Sequence, residues 1–281
     1  KKLEGMKGTT TVPVMREMAK PRQTHIQLRG DYQVKDKRVY EGVPAVFEVP
    51  TEGEKVNRLT LAKWILDERN PLTARVIANR YWESIFGNGI VRTSEEFGSQ
   101  GELPTHPALL DWLATELVRL KWDTKAFVRL LVMSATYRQN SLSTAKHVEN
   151  DPANRFYARG PRLRLTAEMI RDQALLVSGM LHGEIGGPSV RPYQPPGLWE
   201  EVEKRGTFQQ DHGQNLYRRS LYTAIRKTVP PPGMVLFDLP SREVCAIRRV
   251  RTNTPLQALA LMNEITYVEA AKMLAAQMLV Q

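Results

Sequence analysis

Aromatic and acidic side chains lie close together near one proline-rich turn, and their types suggest carbohydrate chemistry. Tyr193, Trp199 and Glu200 fall within residues 191–201. Aromatic rings can stack on sugar rings, and two carboxyl groups facing each other across a cleft can hydrolyse a glycosidic bond. The interpretation that we favour is simpler: Glu200 lies in the first turn of a helix, where acidic side chains are stabilised, beside a packed tryptophan.

Two arginine-rich segments follow this turn. One contains Arg218 and Arg219, and the other spans residues 242–251 and leads to Asn253. Guanidinium groups beside buried apolar residues need carboxylate or carbonyl partners. We therefore predict that the two segments meet in space as a polar network or an anion-facing surface, with Arg219 and Arg251 paired internally. The residues of this candidate binding network are Tyr193, Trp199, Glu200, Arg218, Arg219, Arg242, Arg251 and Asn253.

The histidines and the single cysteine form no metal or haem motif. The five histidines are far apart in the sequence and show neither HExxH nor HxH spacing, so no metal site is predicted. Cys245 alone can supply neither an internal disulfide, nor a CxxC metal knuckle, nor a C-x-x-C-H haem attachment. We therefore expect no cofactor in this chain, and we expect Cys245 to be a buried structural thiol.

Motifs for nucleophilic and phosphate chemistry are also missing. The sequence has no G-x-S-x-G elbow, and the residues around Ser134 and Ser241 do not suggest a nucleophile. The glycines at 183, 186 and 187 lack the lysine and the helix of a phosphate-binding loop. The sequence therefore favours a non-catalytic role.

The charge balance bears on the class of partner. Forty Lys and Arg residues against 30 Asp and Glu residues give a net charge of +10. Nucleic acid is nevertheless not expected, because no helix-turn-helix, RNP or zinc-finger pattern accompanies the charge. No uncharged apolar stretch approaches the roughly 18 to 20 residues of a membrane-spanning helix. The sequence begins at Lys1 without a charged-then-apolar leader, so we expect a processed or excised piece of a longer product.

The pattern of apolar residues predicts a mainly α fold. Residues 1–55 carry β-type and turn signals with too few apolar residues to fold alone, which predicts an extended strap on a helical domain of residues 56–281. Apolar spacing and capping residues predict four antiparallel helices between residues 57 and 140. We accordingly expect a bundle-like domain, subdivided into residues 56–145 and 146–281.

The second half of the chain alternates regular and irregular segments. A helix is predicted from Thr166 to about Leu181, and the prolines of residues 182–252 forbid a long helix there. Within this irregular segment, residues 216–225 fit a short strand or hairpin. Thr254 and the proline after it start a final apolar helical stretch, with an interruption near Asn263.

Six segments of the sequence carry a family resemblance. They are NRYW at 79–82 leading to FGNGIV at 86–91, PTHPALLDWL at 104–113, SATYRQ at 134–139, GPSVRPYQPPGLW at 187–199, LYRRSLY at 216–222 and RTNTPLQAL at 251–259. Together they resemble the planctomycete cytochrome-associated C-terminal domain, domain of unknown function 1553. The resemblance extends from about His25 to the end of the chain.

The resemblance implies a context rather than a reaction. It implies a part of a larger exported, periplasmic protein of planctomycete-like bacteria, with a c-type cytochrome-like segment and a second domain preceding this one. A cytochrome c-like domain or subunit is then the expected partner, and any c-type haem belongs to it. His25 and His106 are the candidate haem-facing residues of this chain. The family has no established reaction.

Two functions therefore follow from the sequence. The first is a structural or interaction domain of a cytochrome c-associated multidomain protein. The alternative is a domain that binds or hydrolyses carbohydrate in a cleft around residues 191–251, with a polysaccharide as its partner. Convergence of the candidate residues on one open cleft favours carbohydrate, and burial in paired networks favours the structural role.

Overall fold

The structure, a computed structural model, describes residues 13–20, 22–47, 56–202 and 207–280. Within these ranges the protein is mainly helical, with one two-stranded sheet, which confirms the predicted fold class. The strands are β1 (Thr24–Gln27) and β2 (Lys35–Val39). The α-helices are α1 (Arg58–Ile65), α2 (Thr73–Phe86), α3 (Pro107–Arg119), α4 (Thr124–Val132), α5 (Ala145–Asn150), α6 (Ala167–Val177), α7 (Leu198–Val202), α8 (Pro232–Val235), α9 (Pro255–Asn263) and α10 (Ile265–Val280).

The chain forms two compact units. One consists of residues 1–78 and 111–123, and the other of residues 79–110 and 124–281. The predicted strap over residues 1–55 lies partly outside the described residues. The domain boundaries that the sequence suggested stay predictions.

The first unit contains the sheet and α1. β1 and β2 pair antiparallel, with His25 opposite Arg38. The segment before α1 is held to that helix, because Trp64 donates from Nε1 to the carbonyl of Phe47 at 3.0 Å. These contacts place the described part of the strap against helical residues of its own unit.

Side-chain caps start several helices where the sequence predicts them. Asn57 precedes α1, and its side-chain oxygen accepts from the backbone N–H of Leu59 at 2.8 Å. Asn70 accepts in the same way from the backbone of Leu72 at 3.0 Å, just before α2. Thr166 caps α6 through its hydroxyl. Each cap satisfies a backbone donor that the first helical turn leaves free.

An aromatic cluster forms one core of the second unit. Trp82 stacks on Phe86 one turn later in α2, with ring centroids 4.1 Å apart. Tyr157 meets Trp82 edge-on at 5.0 Å. Phe127 of α4 is fully buried and meets Tyr81 edge-on at 5.7 Å. The helical spacing of Trp82 and Phe86 explains why both face this core.

A buried amide fixes the loop that follows α2. Asn79 is fully buried, accepts from the backbone N–H of Val91 at 2.9 Å and donates to the carbonyl of the same residue at 2.9 Å. It also donates to the Ser94 hydroxyl at 3.1 Å. A Cβ at residue 89 would lie 2.4 Å from the Val91 carbonyl oxygen, so this close approach requires the glycine found there.

A second core lies where α6, α8 and α10 pack together. Its buried members are Ala167, Met234, Phe237, Leu239 and Tyr267. The interruption predicted near Asn263 is present, because α9 ends at that residue and α10 begins at Ile265. Of the described helices, none is long and apolar enough to span a bilayer.

The short strand expected at residues 216–225 is replaced by two 3₁₀ turns and isolated bridges. The turns span Gly213–Tyr217 and Ser220–Tyr222, and the bridges pair His182 with Arg218 and Val190 with Thr223. Side chains of α6 form hydrogen bonds with the polar backbone groups of Leu216, Arg218 and Ser220. These groups are therefore satisfied without a strand ladder.

Candidate functional site

The eight residues of the candidate binding network all lie in the second unit, but they do not converge on one cleft. They lie in four separate places: beside Glu269, beside Arg226, under the loop of residues 184–188, and on exposed parts of the chain.

Tyr193 belongs to a small cluster around a carboxylate of α10. Its hydroxyl donates to Glu269 Oε1 at 3.0 Å, and the hydroxyl of Tyr217 donates to Oε2 at 3.1 Å. The neighbouring Tyr217 hydroxyl, burial and the charge of Glu269 together raise the pKa of Tyr193. The two hydroxyls thus supply one hydrogen bond to each oxygen of the carboxylate. Glu269 is 76 residues from Tyr193 in sequence, so no local pattern could have indicated it.

Trp199 is packed against side chains of its own unit. Arg226 lies over its ring at 4.6 Å from the centroid, and Phe208 approaches at 5.3 Å. Glu200 is exposed in the first turn of α7. This arrangement matches the simpler interpretation of the segment, a helix-start acid beside a packed tryptophan.

Arg218 binds the backbone of the loop formed by residues 184–188. It is 2% exposed, and its guanidinium donates to the backbone carbonyls of Glu184, Gly186 and Pro188. It also lies 3.9 Å from the ring centroid of Tyr222. The two terminal nitrogens of Arg218 thus bind this chain's own backbone, and its buried Nε has no partner among the described residues.

A second buried arginine, which the sequence reasoning missed, supports the same region from α6. Arg171 is 6% exposed and donates to the carbonyls of Leu216 at 2.6 Å and Arg218 at 2.9 Å. Burial lowers its pKa, and the charge of Asp172 opposes that shift. Arg171 lies four residues from Ala167 and from Leu175, both buried, so helical periodicity could have placed it inside.

An ion pair between Arg164 and Asp238 holds the residues just before α9. Arg164 pairs with Asp238 and donates to the carbonyl of Thr252 at 2.8 Å. Asp238 accepts from the backbone N–H of Thr252 at 2.7 Å. Burial would raise the pKa of Asp238, but the hydrogen bonds from Thr252 and the charge of Arg164 outweigh it and lower that pKa. Asn253 itself is exposed.

The prediction that Arg219 and Arg251 are paired internally is wrong. Arg219, Arg242 and Arg251 are exposed, and none of them forms an ion pair with another described residue. All ten residues of the segment 241–250 are exposed, so Cys245 is exposed as well and the expectation of a buried thiol is wrong. The apolar side chains of this segment, Val244, Ile247 and Val250, are exposed.

The two histidines considered as haem-facing are both partly buried. His25 lies in β1 of the first unit. His106 has Nδ1 3.0 Å from the Thr105 hydroxyl, and its ring lies 5.6 Å from that of Tyr157. Burial raises the pKa of Tyr157 to about 12. Among the described residues, no group of three or more His, Cys, Asp or Glu could hold a metal ion.

The last two helices carry an unusual number of exposed apolar side chains. α9 has no charged residue, and in α10 every residue from 271 to 280 is exposed. We name the exposed apolar side chains of α9 and α10 the C-terminal apolar surface. Its large members are Leu256, Leu259, Leu261, Met262, Ile265, Met273, Leu274, Met278, Leu279 and Val280.

A groove of about 750 Å³ borders this surface. α6 contributes Ile170, Ala174 and Val177 to its walls, and α9 contributes Ala258 and Leu261. The walls are therefore mostly apolar. α9 thus exposes apolar side chains on one side and lines an apolar groove with the other.

Residues 57–281 match the family PSD1, described as Protein of unknown function (DUF1553). The chain belongs to this family. No curated protein and no solved structure matches it. The description of the DUF1553 family names neither a reaction nor a ligand, so the function of this member has to be argued from its own residues.

Proposed function

We propose that this DUF1553 chain is a non-catalytic interaction domain that binds a protein partner through the C-terminal apolar surface. The partner that we propose is a c-type cytochrome-like domain or subunit of the same larger exported, periplasmic protein of planctomycete-like bacteria. Any c-type haem would then be carried by that partner.

The observation that carries the proposal is the composition and exposure of α9. A helix that is apolar all round is normally buried. Here Leu256 is 59% exposed, Leu259 is 55% exposed and Met262 is 75% exposed. Exposed apolar patches of this kind are typical of protein interaction sites. A partner that covers α9 would remove these side chains from water and account for its sequence.

The identity of the partner is supported by the family resemblance of the sequence. The motifs at residues 79–91, 187–199 and 251–259 carry it, and the family implied by them accompanies cytochrome-like segments. The third of these motifs includes the start of α9. The proposed surface therefore coincides with one of the segments that define the resemblance.

Carbohydrate binding around residues 191–251 is less well supported. That function needs several of the candidate residues to line one cleft. Tyr193 is instead bonded to Glu269, Trp199 is packed against Phe208, and Arg218 is bonded to backbone carbonyls.

The test is to purify the native protein from its source and record its absorption spectrum and subunit composition. We expect a Soret band in the native assembly that survives denaturing washes, because c-type haem is covalently attached. The isolated 281-residue chain should show none, since it has no C-x-x-C-H sequence.

A matched pair of variants assigns the surface. In Leu259→Lys/Met262→Lys, two cations replace apolar side chains of α9. We expect a partner that is a separate subunit to be lost from the assembly, and a covalently linked partner domain to stop protecting Met278 of this surface from oxidation. Leu221→Lys is the control, because Leu221 is 80% exposed outside this surface, and it should keep the partner. A native protein that purifies as this polypeptide alone, without other domains or subunits, would contradict the interaction role. A haem-free assembly would contradict the proposed partner.

A further inference from the structure

An arginine-lined cleft of about 640 Å³ lies in the second unit, away from the C-terminal apolar surface. One wall is a single face of α2, where Arg80, Glu83 and Ser84 follow one another at helical spacing, together with Gly87 just after the helix. The other wall is the exposed segment of residues 247–251. The cleft is thus built from a fixed helix face and a basic segment that crosses it.

Four arginines line the cleft: Arg80, Arg248, Arg249 and Arg251. The acidic groups nearby neutralise only part of their charge. Arg249 pairs with Glu168 at 2.7 Å, and Arg248 lies 3.5 Å from Glu83.

Arg80 and Arg251 have no acidic partner within hydrogen-bonding distance among the described residues. Two cations in this cleft therefore face solvent without a counter-charge of their own.

Glu83 also lines the cleft, but one carboxylate cannot balance all four arginines. It lies beside Arg248 and accepts a hydrogen bond from the Ser94 hydroxyl, and Ser94 is in turn bonded to the buried Asn79. The pKa of Arg251 is lowered by burial and by the neighbouring charges of Arg164 and Arg248, even though Glu83 opposes the shift. The cleft is therefore an electropositive environment in which an added anion would be stabilised.

We propose that this cleft binds a doubly charged tetrahedral oxyanion, a sulfate or phosphate group, between Arg80 and Arg251. Two guanidinium groups without acidic partners match two negative charges. Planar guanidinium donors also suit the oxygen geometry of such groups, and charge-assisted hydrogen bonds are stronger than neutral ones. The site is independent of the C-terminal apolar surface and of its partner.

The experiment is a titration of the purified chain with sodium sulfate, and separately with phenyl phosphate, at constant ionic strength maintained with sodium chloride. Isothermal calorimetry reports the affinity. We expect saturable binding of one anion per chain. Binding of sulfate but not of phenyl phosphate identifies a site for a free ion. Tighter binding of phenyl phosphate identifies a site for a phosphate or sulfate group that is part of a larger molecule.

Variants then assign the site. Arg80→Gln and Arg251→Gln should each weaken binding about tenfold, the size expected for one charge-assisted hydrogen bond. Arg219→Gln is the control, since it removes the same charge from an exposed arginine that does not line the cleft. It should leave the affinity unchanged.

A variant with the opposite expected sign separates binding from damage to the fold. Glu168→Gln releases Arg249 from its ion pair and should tighten binding. Circular dichroism of each variant checks the fold. Absence of saturable binding, or an equal loss in Arg219→Gln, would overturn the proposal.

Discussion

The interior beside α6 and the surface of the second unit use arginine in opposite ways. Beside α6, Arg164, Arg171 and Arg218 are directed inward and donate to backbone carbonyls of neighbouring segments. On the surface, Arg219, Arg242 and Arg251 are exposed and form no ion pair among the described residues. A buried guanidinium must find partners, whereas an exposed one is free to meet something outside the chain. The same division holds for apolar residues, which fill the core at Phe237 and are exposed throughout most of α9.

The largest effect on stability is expected from the buried arginines beside α6. Arg171→Met removes a buried cation and leaves the carbonyls of Leu216 and Arg218 and the neighbouring Asp172 without it. We expect the free energy of unfolding to fall by about 3 to 5 kcal/mol. Urea unfolding followed by circular dichroism measures it. A loss below about 1 kcal/mol would mean that Arg171 does not organise this region.

An intermediate effect is expected at the Arg164–Asp238 pair. Asp238→Asn keeps a residue type that tolerates the positive φ of 61° found there but removes the charge. We expect a loss of about 1 to 3 kcal/mol at pH 7. Unfolding curves of both proteins at neutral pH measure it.

The pH dependence of this effect has a defined sign. The pKa of Asp238 is lowered on folding, so its contribution is present above the usual pKa of an aspartate, about 3.9, and is lost as the pH falls through the lower folded value. The difference in stability between Asp238→Asn and the parent should therefore shrink in acid. Glu243→Gln, in the exposed segment, should show no difference at any pH. A difference for Asp238→Asn that stays constant down to pH 2 would contradict the ionic role.

The smallest effects are expected from the exposed arginines. Arg219→Met and Arg242→Met remove cations that have no partner among the described residues, so each should change the free energy of unfolding by less than about 0.5 kcal/mol. The same urea unfolding experiment checks this. A loss of 2 kcal/mol in either variant would erase the contrast between the two regions.

The sequence predicted features that depend on local patterns. The helix start at Thr166 and the break near Asn263 could be predicted from residue type and spacing. The partnership of Tyr193 with Glu269 could not, because it joins distant segments through the fold. The exposure of Cys245 was also missed, since a free cysteine is usually buried and nothing in its local sequence shows that its segment is exposed. Pattern alone does not show whether another element lies opposite.

Methionine oxidation tests most directly whether the C-terminal apolar surface faces a partner. Hydrogen peroxide oxidises exposed methionines, and peptide mass spectrometry reports the rate at each site. Met262 is 75% exposed and should oxidise fast in the isolated chain but slowly in the native assembly, where the partner covers it. Met133, which is 57% exposed outside this surface, should oxidise at the same rate in both. Equal rates at Met262 in the isolated chain and the native assembly would contradict the account.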